Sequence, residues 1–182
     1  MNILAFWHCF GTHAGESPED ILTRKRHEIR ANSGWTLWSF AGRTEATLLT
    51  WSAQIRSLTP DRVIVLCSHS KNAVDPKGTP AYASGFRRAA SQNWEPIPNS
   101  IEVPHPFGKR HTASAFWVSD VFGPKGVPSR CEWFCIGERT WRADSVPTRG
   151  EYLLRSGPGT PLRPVSAILE LRAPFVVQIR RT

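Results

Sequence analysis

Residues 62–68 read Arg-Val-Ile-Val-Leu-Cys-Ser, a short apolar run that is rich in β-branched side chains. A run of this length and composition is typical of a buried strand. A similar run, Ile3–Phe10 (ILAFWHCF), stands near the start of the chain and ends at Gly11. The aromatic run Trp35–Ala41 (WTLWSFA) lies between these two. The three runs predict the first strands of a sheet.

Helix signals separate the three predicted strands. Ser17-Pro18-Glu19-Asp20 has the form of a helix start, with Ser17 as the N-cap and Asp20 completing a capping box. This helix is predicted to run to about Ala31 and to close at Gly34 in the left-handed conformation. A second helix is predicted over Glu45–Leu58, because one of its faces is mostly apolar. The residues on that face are Leu48, Trp51, Ser52, Ile55 and Leu58.

A third helix is predicted over Pro80–Ser91, because Tyr82, Phe86 and Ala89 fall on one side of it. Residues 1–90 then read β-α-β-α-β-α, an order that favours an α/β arrangement with strands side by side. Beyond Asn93 the sequence pattern changes, because prolines exclude long helices there. These prolines stand at 96, 98, 104, 106, 124 and 128. The strands predicted in this half are Ser100–Val103, Thr112–Phe122, Cys131–Ile136 and Phe175–Ile179, with a helix or strand near Val165–Leu171.

Length and composition indicate one globular domain. The 182 residues are 40% apolar and 21% charged, as in a folded protein with a core. We predict a single domain over residues 1–182 of mixed α/β or α+β class. Its centre is a mixed sheet or a partly closed β-barrel flanked by about three helices.

Charge and cysteine usage indicate the partner and the compartment. Lys and Arg number 23 against 15 Asp and Glu, a net charge of +8, and the pI is near 9.9. This balance favours a polyanionic partner, DNA or RNA first. An anionic membrane surface ranks second. No apolar run reaches the roughly 18 residues of a membrane helix, and no membrane is predicted as a partner. The four cysteines do not form a disulfide scaffold, and a cytoplasmic location is the simplest expectation.

The motifs of catalysis and cofactor binding are weak. The loop from Gly11 to Ser17 lacks the lysine of a phosphate-binding P-loop. Cys131 and Cys135 lack the second ligand pair that a zinc site needs, and no metal or other cofactor is predicted. The arginine pairs at 87–88 and 180–181 are unspecific as sequence signals. Whether the protein is an enzyme is left open.

The tryptophans are the more informative residues. Eight occur, at positions 7, 35, 38, 51, 94, 117, 133 and 141. Trp51 lies on the apolar face of its predicted helix, whereas Trp35 and Trp38 lie three apart in a strand and therefore point to opposite faces. Flat aromatic walls with a few polar groups at the rim are what a pocket for an unpaired base requires.

Three segments resemble the PUA-like superfamily of base-binding modules, which includes the EVE, ASCH and YTH types. They are Ile3–His8 (ILAFWH), Val63–Ser70 (VIVLCSHS) and Thr112–Val121 (TASAFWVSDV). The resemblance implies an aromatic pocket that holds a modified base. The second helix and the insert between Ser70 and Thr112 depart from the pattern of that superfamily.

A second resemblance is to Rossmann-like nucleoside deoxyribosyltransferases and related N-glycosidases. Asp61–Leu66, followed by Asp75-Pro-Lys-Gly-Thr-Pro and a predicted helix, is similar to a step of their fold. In that family the helix carries a catalytic glutamate. Residues 82–90 have Ser84 and no carboxylate, which argues against that enzyme.

The sequence thus favours a nucleic-acid-binding module that holds a base, modified or not, in an aromatic pocket. A small α/β enzyme acting on a nucleoside or nucleotide, with His8, His13 and Asp75 near strand ends, and a protein-interaction module are the alternatives. The predicted base-binding residues are Trp7, Trp35, Trp38, Trp117, Ser39, Ser68 and His69. The predicted phosphate-binding residues are Arg43, Lys71, Lys109 and Arg110.

Overall fold

The computed structural model describes residues 2–40, 43–69, 80–103, 112–123, 132–135, 152–157 and 165–181. Within these ranges the helices are α1 (Pro18–Ala31) and α2 (Glu45–Leu58). The strands are β1 (Ile3–Phe10), β2 (Thr36–Phe40), β3 (Arg62–His69), β4 (Ala81–Arg88), β5 (Glu95–Val103), β6 (Thr112–Phe122), β7 (Glu132–Cys135), β8 (Tyr152–Gly157) and β9 (Ala167–Arg181).

The described strands form one mixed sheet in the order β2-β6-β9-β3-β1-β8-β7. β1 and β3 run parallel, with Ile3 opposite Arg62, and the other described ladders are antiparallel. β4 adds to β9 beside this path, and β5 pairs with β4. The predicted mixed sheet in an α+β domain is confirmed, and the ladders of the described strands do not close into a barrel.

The last strand joins two groups of strands. Residues 167–171 of β9 pair with β3, residues 177–181 pair with β4, and β6 pairs along both halves. Between the halves, the Ala173–Pro174 peptide bond is cis and Phe175 has a φ of 64°. The element predicted near Val165–Leu171 and the strand predicted at Phe175–Ile179 are thus parts of one strand.

The first two of the three predicted helices are confirmed. At the start of α1, the Ser17 hydroxyl accepts from the Asp20 amide and the Asp20 carboxylate accepts from the Ser17 amide, each at 3.2 Å. Gly34 has a φ of 91°, as its position after the helix predicted. In α2, Leu48, Trp51 and Ile55 are buried. Leu58, which was predicted on the same face, is exposed.

The prediction of a third helix over Pro80–Ser91 is wrong, because this segment forms β4 and a turn. Ala81 and Ala83 are buried while Tyr82 and Ser84 are exposed, an alternation with the period of a strand. A bulge between Ala83 and Gly85 then shifts the alternation by one residue. Tyr82 is exposed and Phe86 is buried, so the residues that suggested one helical face do not share a face in the structure. The described part of the chain therefore has two helices where about three were expected.

Buried apolar residues form three clusters, named here by their place. The helix-side core lies between the sheet and both helices and includes Phe6, Trp51 and Phe116. The hairpin core lies on the other face of β2 and β6, under the β4–β5 hairpin, and includes Phe86 and Trp117. The outer core lies on the far face of β1 and β3. Its buried residues are Ile3, Ala5, Trp7, Ile64, Leu66 and Ile168.

Candidate nucleic-acid interface

The four tryptophans predicted to stack on a base lie in three different clusters. Trp7 is fully buried in the outer core. Trp38 is buried in the helix-side core, with its ring 6.0 Å from His8 and 5.1 Å from Phe10. Trp35 and Trp117 stack in the hairpin core with centroids 4.1 Å apart and planes 17° apart. The structure brings Trp35 and Trp117 together, and of the four only Trp35 is half-buried rather than buried.

The predicted base-edge residues are also divided between faces. Ser39 is buried, and its hydroxyl has no hydrogen-bond partner within the described ranges. It lies opposite Ala115 of the hairpin core, whereas Trp38 faces the helix side. Ser68 is half-buried and His69 is exposed at the end of β3, where the His69 ring lies 5.1 Å from Phe10.

Among the predicted phosphate ligands, the described residues include Arg43. Its guanidinium lies 5.5 Å from the Trp51 ring, and its carbonyl accepts from the Ser114 hydroxyl at 3.5 Å. Lys71, Lys109 and Arg110 lie outside the described residues, as does Asp75 of the enzyme alternative. His8 and His13, the other two residues of that alternative, are buried. In the described ranges, no group of three His, Cys, Asp or Glu side chains could hold a metal ion.

A different cluster is formed where β4 pairs with β9. In this ladder Arg87 lies opposite Gln178, and Gly85 lies opposite Arg180. The Arg180 guanidinium lies 4.0 Å from the centroid of the Trp94 ring, and the Arg87 guanidinium lies 5.2 Å from it. We call this surface the arginine–tryptophan face. It comprises Tyr82, Ser84, Arg87, Trp94, Gln178 and Arg180.

Strand alternation places these side chains on one side of the sheet. In β9, Val177 and Ile179 belong to the hairpin core, so Gln178 and Arg180 point to the opposite side. In β4, Ala81 and Ala83 belong to the same core, so Tyr82 and Ser84 point away from it. Tyr82 is 42% exposed, and Arg180 is exposed. The face therefore offers both aromatic and cationic groups to a ligand.

The turn that carries Trp94 is held by the first residue of α2. The Glu45 carboxylate accepts from the Ala90 amide at 3.3 Å and from the Arg87 guanidinium at 3.4 Å. Arg87 also donates to the Gln178 side-chain oxygen at 2.7 Å and to the Ser91 carbonyl at 3.3 Å. These bonds hold the Arg87 side chain beside the Trp94 ring.

Positive charge on this face exceeds the negative charge that neutralises it. Glu45 pairs with Arg87, and no described carboxylate is paired with Arg180. Arg88 and Glu95 are both exposed, but they pair with Val177 and Phe86 of the hairpin core and so lie on the other side of the sheet. Like-charged guanidinium groups that share one indole ring favour the approach of an anion.

A second group of charges, between α1 and β5, is buried and internally paired. The Lys25 ammonium lies 2.7 Å from the Glu28 carboxylate and donates to the Glu102 carbonyl at 2.6 Å. Glu28 also accepts from the Thr36 hydroxyl at 2.5 Å and from the Glu102 amide at 3.0 Å. Arg24 is the fourth residue that engages the Glu28 carboxylate, after Lys25, Thr36 and Glu102. The Glu28 carboxylate therefore joins α1 to β2 and β5 and is not open to a ligand.

Burial and pairing shift the ionisation of this group in opposite directions. Burial is the largest effect on Lys25 and lowers its pKa to about 8. Burial alone would raise the pKa of Glu28, but Lys25, Thr36 and Arg24 together hold that pKa below its ordinary value. Glu28 is therefore a carboxylate that the fold keeps ionised.

The arginine–tryptophan face was missed at the level of sequence although its parts were visible. The arginine pairs at 87–88 and 180–181 were apparent, but nothing local indicates that they are neighbours. Their proximity depends on the ladder between β4 and β9, and the sequence pattern predicts a helix in place of β4. Trp94 carries no signal of its own because it follows a turn.

Comparisons with protein-family models, with curated proteins and with solved structures each found no significant match to this chain. In the part of the chain that the structure describes, neither helix is long and apolar enough to cross a membrane.

Proposed function

We propose that this protein binds nucleic acid and that the arginine–tryptophan face is its phosphate-binding surface. The observation that carries the proposal is the position of two guanidinium groups, from Arg87 and Arg180, over the single ring of Trp94. Arginine binds phosphate oxygens through a planar fork of N–H donors. The Arg180 guanidinium is exposed and has no carboxylate partner among the residues that the structure describes, so it is able to form such a contact.

The charge of the whole chain supports the same partner. The net charge of +8 attracts a polyanion over a longer range than any single contact. The cytoplasmic location expected from cysteine usage belongs to the proposal, because nucleic acid is available there. A base, modified or not, is held by aromatic side chains of the protein. Of the four predicted residues Trp35 alone is half-buried, but it packs against the hairpin core, on the side of β4 and β9 away from the arginine–tryptophan face.

The proposal is tested by the salt dependence of binding. A labelled oligonucleotide is titrated with protein at about 50 and 200 mM salt, and the slope of log K against log salt is measured. Arg180→Gln is expected to weaken binding to all sequences. It should also reduce the magnitude of that slope by about 1, the contribution of one phosphate contact. Arg87→Gln should act in the same direction and also cost some stability, because Arg87 bonds Glu45 and Gln178.

The matched control is Arg56→Gln, which removes the same charge from an exposed residue in the last turn of α2. If Arg56→Gln and Arg180→Gln reduce affinity equally, the charge acts through the net field and the face is not the binding surface. Absence of binding at both salt concentrations would contradict the proposal that the protein binds nucleic acid.

A further inference from the structure

We infer that the nucleic acid bound by this face is single-stranded and that Trp94 is the ring on which an unpaired base stacks. The inference rests on the proposed function and adds the class of substrate. It begins from the half-buried indole of Trp94, whose ring is covered by the Arg180 guanidinium at 4.0 Å. That spacing is a stacking distance between a flat cation and an aromatic face.

Arg180 occupies the position that a base would take. A guanidinium and a nucleobase are both planar, so a ring face that accepts one has the shape to accept the other. A nucleotide brings a base and a phosphate together. Because Arg180 is exposed and has no described carboxylate partner, its guanidinium is able to move from the ring to the phosphate while the base takes its place. The cation–π contact is then exchanged for a stack and a charge-assisted hydrogen bond.

The rest of the face fits an unpaired strand better than a duplex. Tyr82 supplies a second exposed aromatic ring on the same side of β4. Aromatic side chains set among arginines on an open sheet are the features with which proteins hold unpaired bases. In a duplex the faces of each base are covered by the adjacent base pairs. A duplex therefore forms only the phosphate contacts and does not stack on Trp94 or Tyr82.

The experiment compares one strand with its duplex. Fluorescence anisotropy is measured with a labelled single strand of about 12 nucleotides and with the duplex of the same sequence. The proteins are the wild type, Trp94→Leu and the control Phe122→Leu. Phe122 is an exposed aromatic residue of β6 that pairs with the other half of β9, opposite Ile168. Each variant is first checked for an unchanged circular-dichroism spectrum and melting temperature.

The wild type is expected to bind the single strand about tenfold or more tighter than the duplex. Trp94→Leu should lose about tenfold of the single-strand affinity and change duplex affinity by less than about twofold. Phe122→Leu should change neither. Equal binding of strand and duplex, with no effect of Trp94→Leu, overturns this inference. The proposed function survives that result if Arg180→Gln still weakens both. Absence of binding to either ligand overturns both.

A second variant covers the case in which Trp94→Leu does not fold. Trp94→Phe keeps a flat ring at this position but removes the contribution of one indole to the tryptophan fluorescence of the protein. If a base stacks on Trp94, the single strand quenches the wild type more than it quenches Trp94→Phe. Equal fractional quenching of the two proteins by a saturating single strand also counts against the inference.

Discussion

The Lys25 ammonium lies 2.7 Å from the Glu28 carboxylate in the interior of the protein, where both side chains are buried on one side of α1. A buried ion pair is weak support for stability, because the cost of removing both charges from water offsets their attraction. Removal of Glu28 is a different matter, since it leaves the Lys25 charge buried without its hydrogen-bonded counter-ion. Because Lys25 and Glu28 also bond the backbone of Glu102, loss of either side chain weakens the contact between α1 and β5.

Glu28→Gln is expected to lower the free energy of unfolding by about 3 kcal/mol at neutral pH. The amide retains the shape of the carboxylate but leaves Lys25 without its counter-ion. Urea denaturation measures the loss. Glu19→Gln is the matched control, because Glu19 is an exposed carboxylate in the first turn of the same helix. Equal losses for the two variants would contradict the structural role of Glu28.

The penalty of Glu28→Gln should depend on pH in a defined direction. The folded protein holds the pKa of Glu28 below its ordinary value of 4.5, so this group stabilises the fold fully above pH 4.5. The stabilisation is lost as the pH falls through the folded pKa. The difference in unfolding free energy between wild type and Glu28→Gln is therefore expected to shrink in acid. A difference that stays constant from neutral pH into acid argues against a lowered pKa.

Lys25 should give a pH dependence in the alkaline range. Burial lowers its pKa from 10.5 to about 8, so between these values the unfolded chain holds a proton that the folded protein has released. The contribution of Lys25 to stability therefore rises as the pH increases from about 8 to 10.5. The difference in unfolding free energy between wild type and Lys25→Met should increase over this range. A flat difference would show that Lys25 keeps its proton in the fold.

The sequence predicted those elements whose stabilising contacts lie within a few residues along the chain. The capping box of Ser17 and Asp20 and the apolar face of α2 were visible in the sequence because their partners lie within a few residues. The strand Ile3–Phe10 was predicted for the same reason, since its apolar run is continuous.

Long-range pairing decided the rest. Pro96 and Pro98 gave no indication that they lie in β5, a strand that is hydrogen-bonded to β4 alone among the described strands. Proline is tolerated there because an edge strand has amide positions that no neighbour needs. The arginine–tryptophan face depends in the same way on a ladder between residues far apart in the chain. A sequence pattern read over short windows cannot show that ladder.

The aromatic centre of the helix-side core should carry much of the stability. The Phe116 ring is fully buried, 4.3 Å from Phe40 and 4.9 Å from Phe6 between centroids. Phe116→Ala is expected to destabilise the protein by about 4 kcal/mol, because it leaves a cavity between rings that cannot all move inward. Phe122→Ala, at an exposed position of the same strand, should cost less than about 1 kcal/mol. Thermal denaturation of both variants checks the contrast.

The close approach of β4 and β5 at Gly85 predicts an effect of a single methyl group. A Cβ at Gly85 would lie 3.0 Å from the Glu95 carbonyl oxygen, whereas one at Gly123 would meet nothing within 4 Å. Gly85→Ala is expected to destabilise by about 1 to 2 kcal/mol, because backbone has to move to admit the methyl group. Gly123→Ala should be neutral or slightly stabilising. Equal melting temperatures for the two variants would argue against this packing.

Glu45 limits the positive charge of the arginine–tryptophan face, and its removal should strengthen binding. Glu45→Gln leaves Arg87 without its carboxylate, while the side-chain oxygen of glutamine is still able to accept from the Ala90 amide. The turn that carries Trp94 should then be preserved at a cost of less than about 1 kcal/mol in stability. Affinity for a single strand is expected to rise a few-fold at about 50 mM salt and less at about 200 mM, because the added attraction is screened. Glu19→Gln adds the same net charge away from the face, so an equal gain from that variant would show that the position of Glu45 is irrelevant.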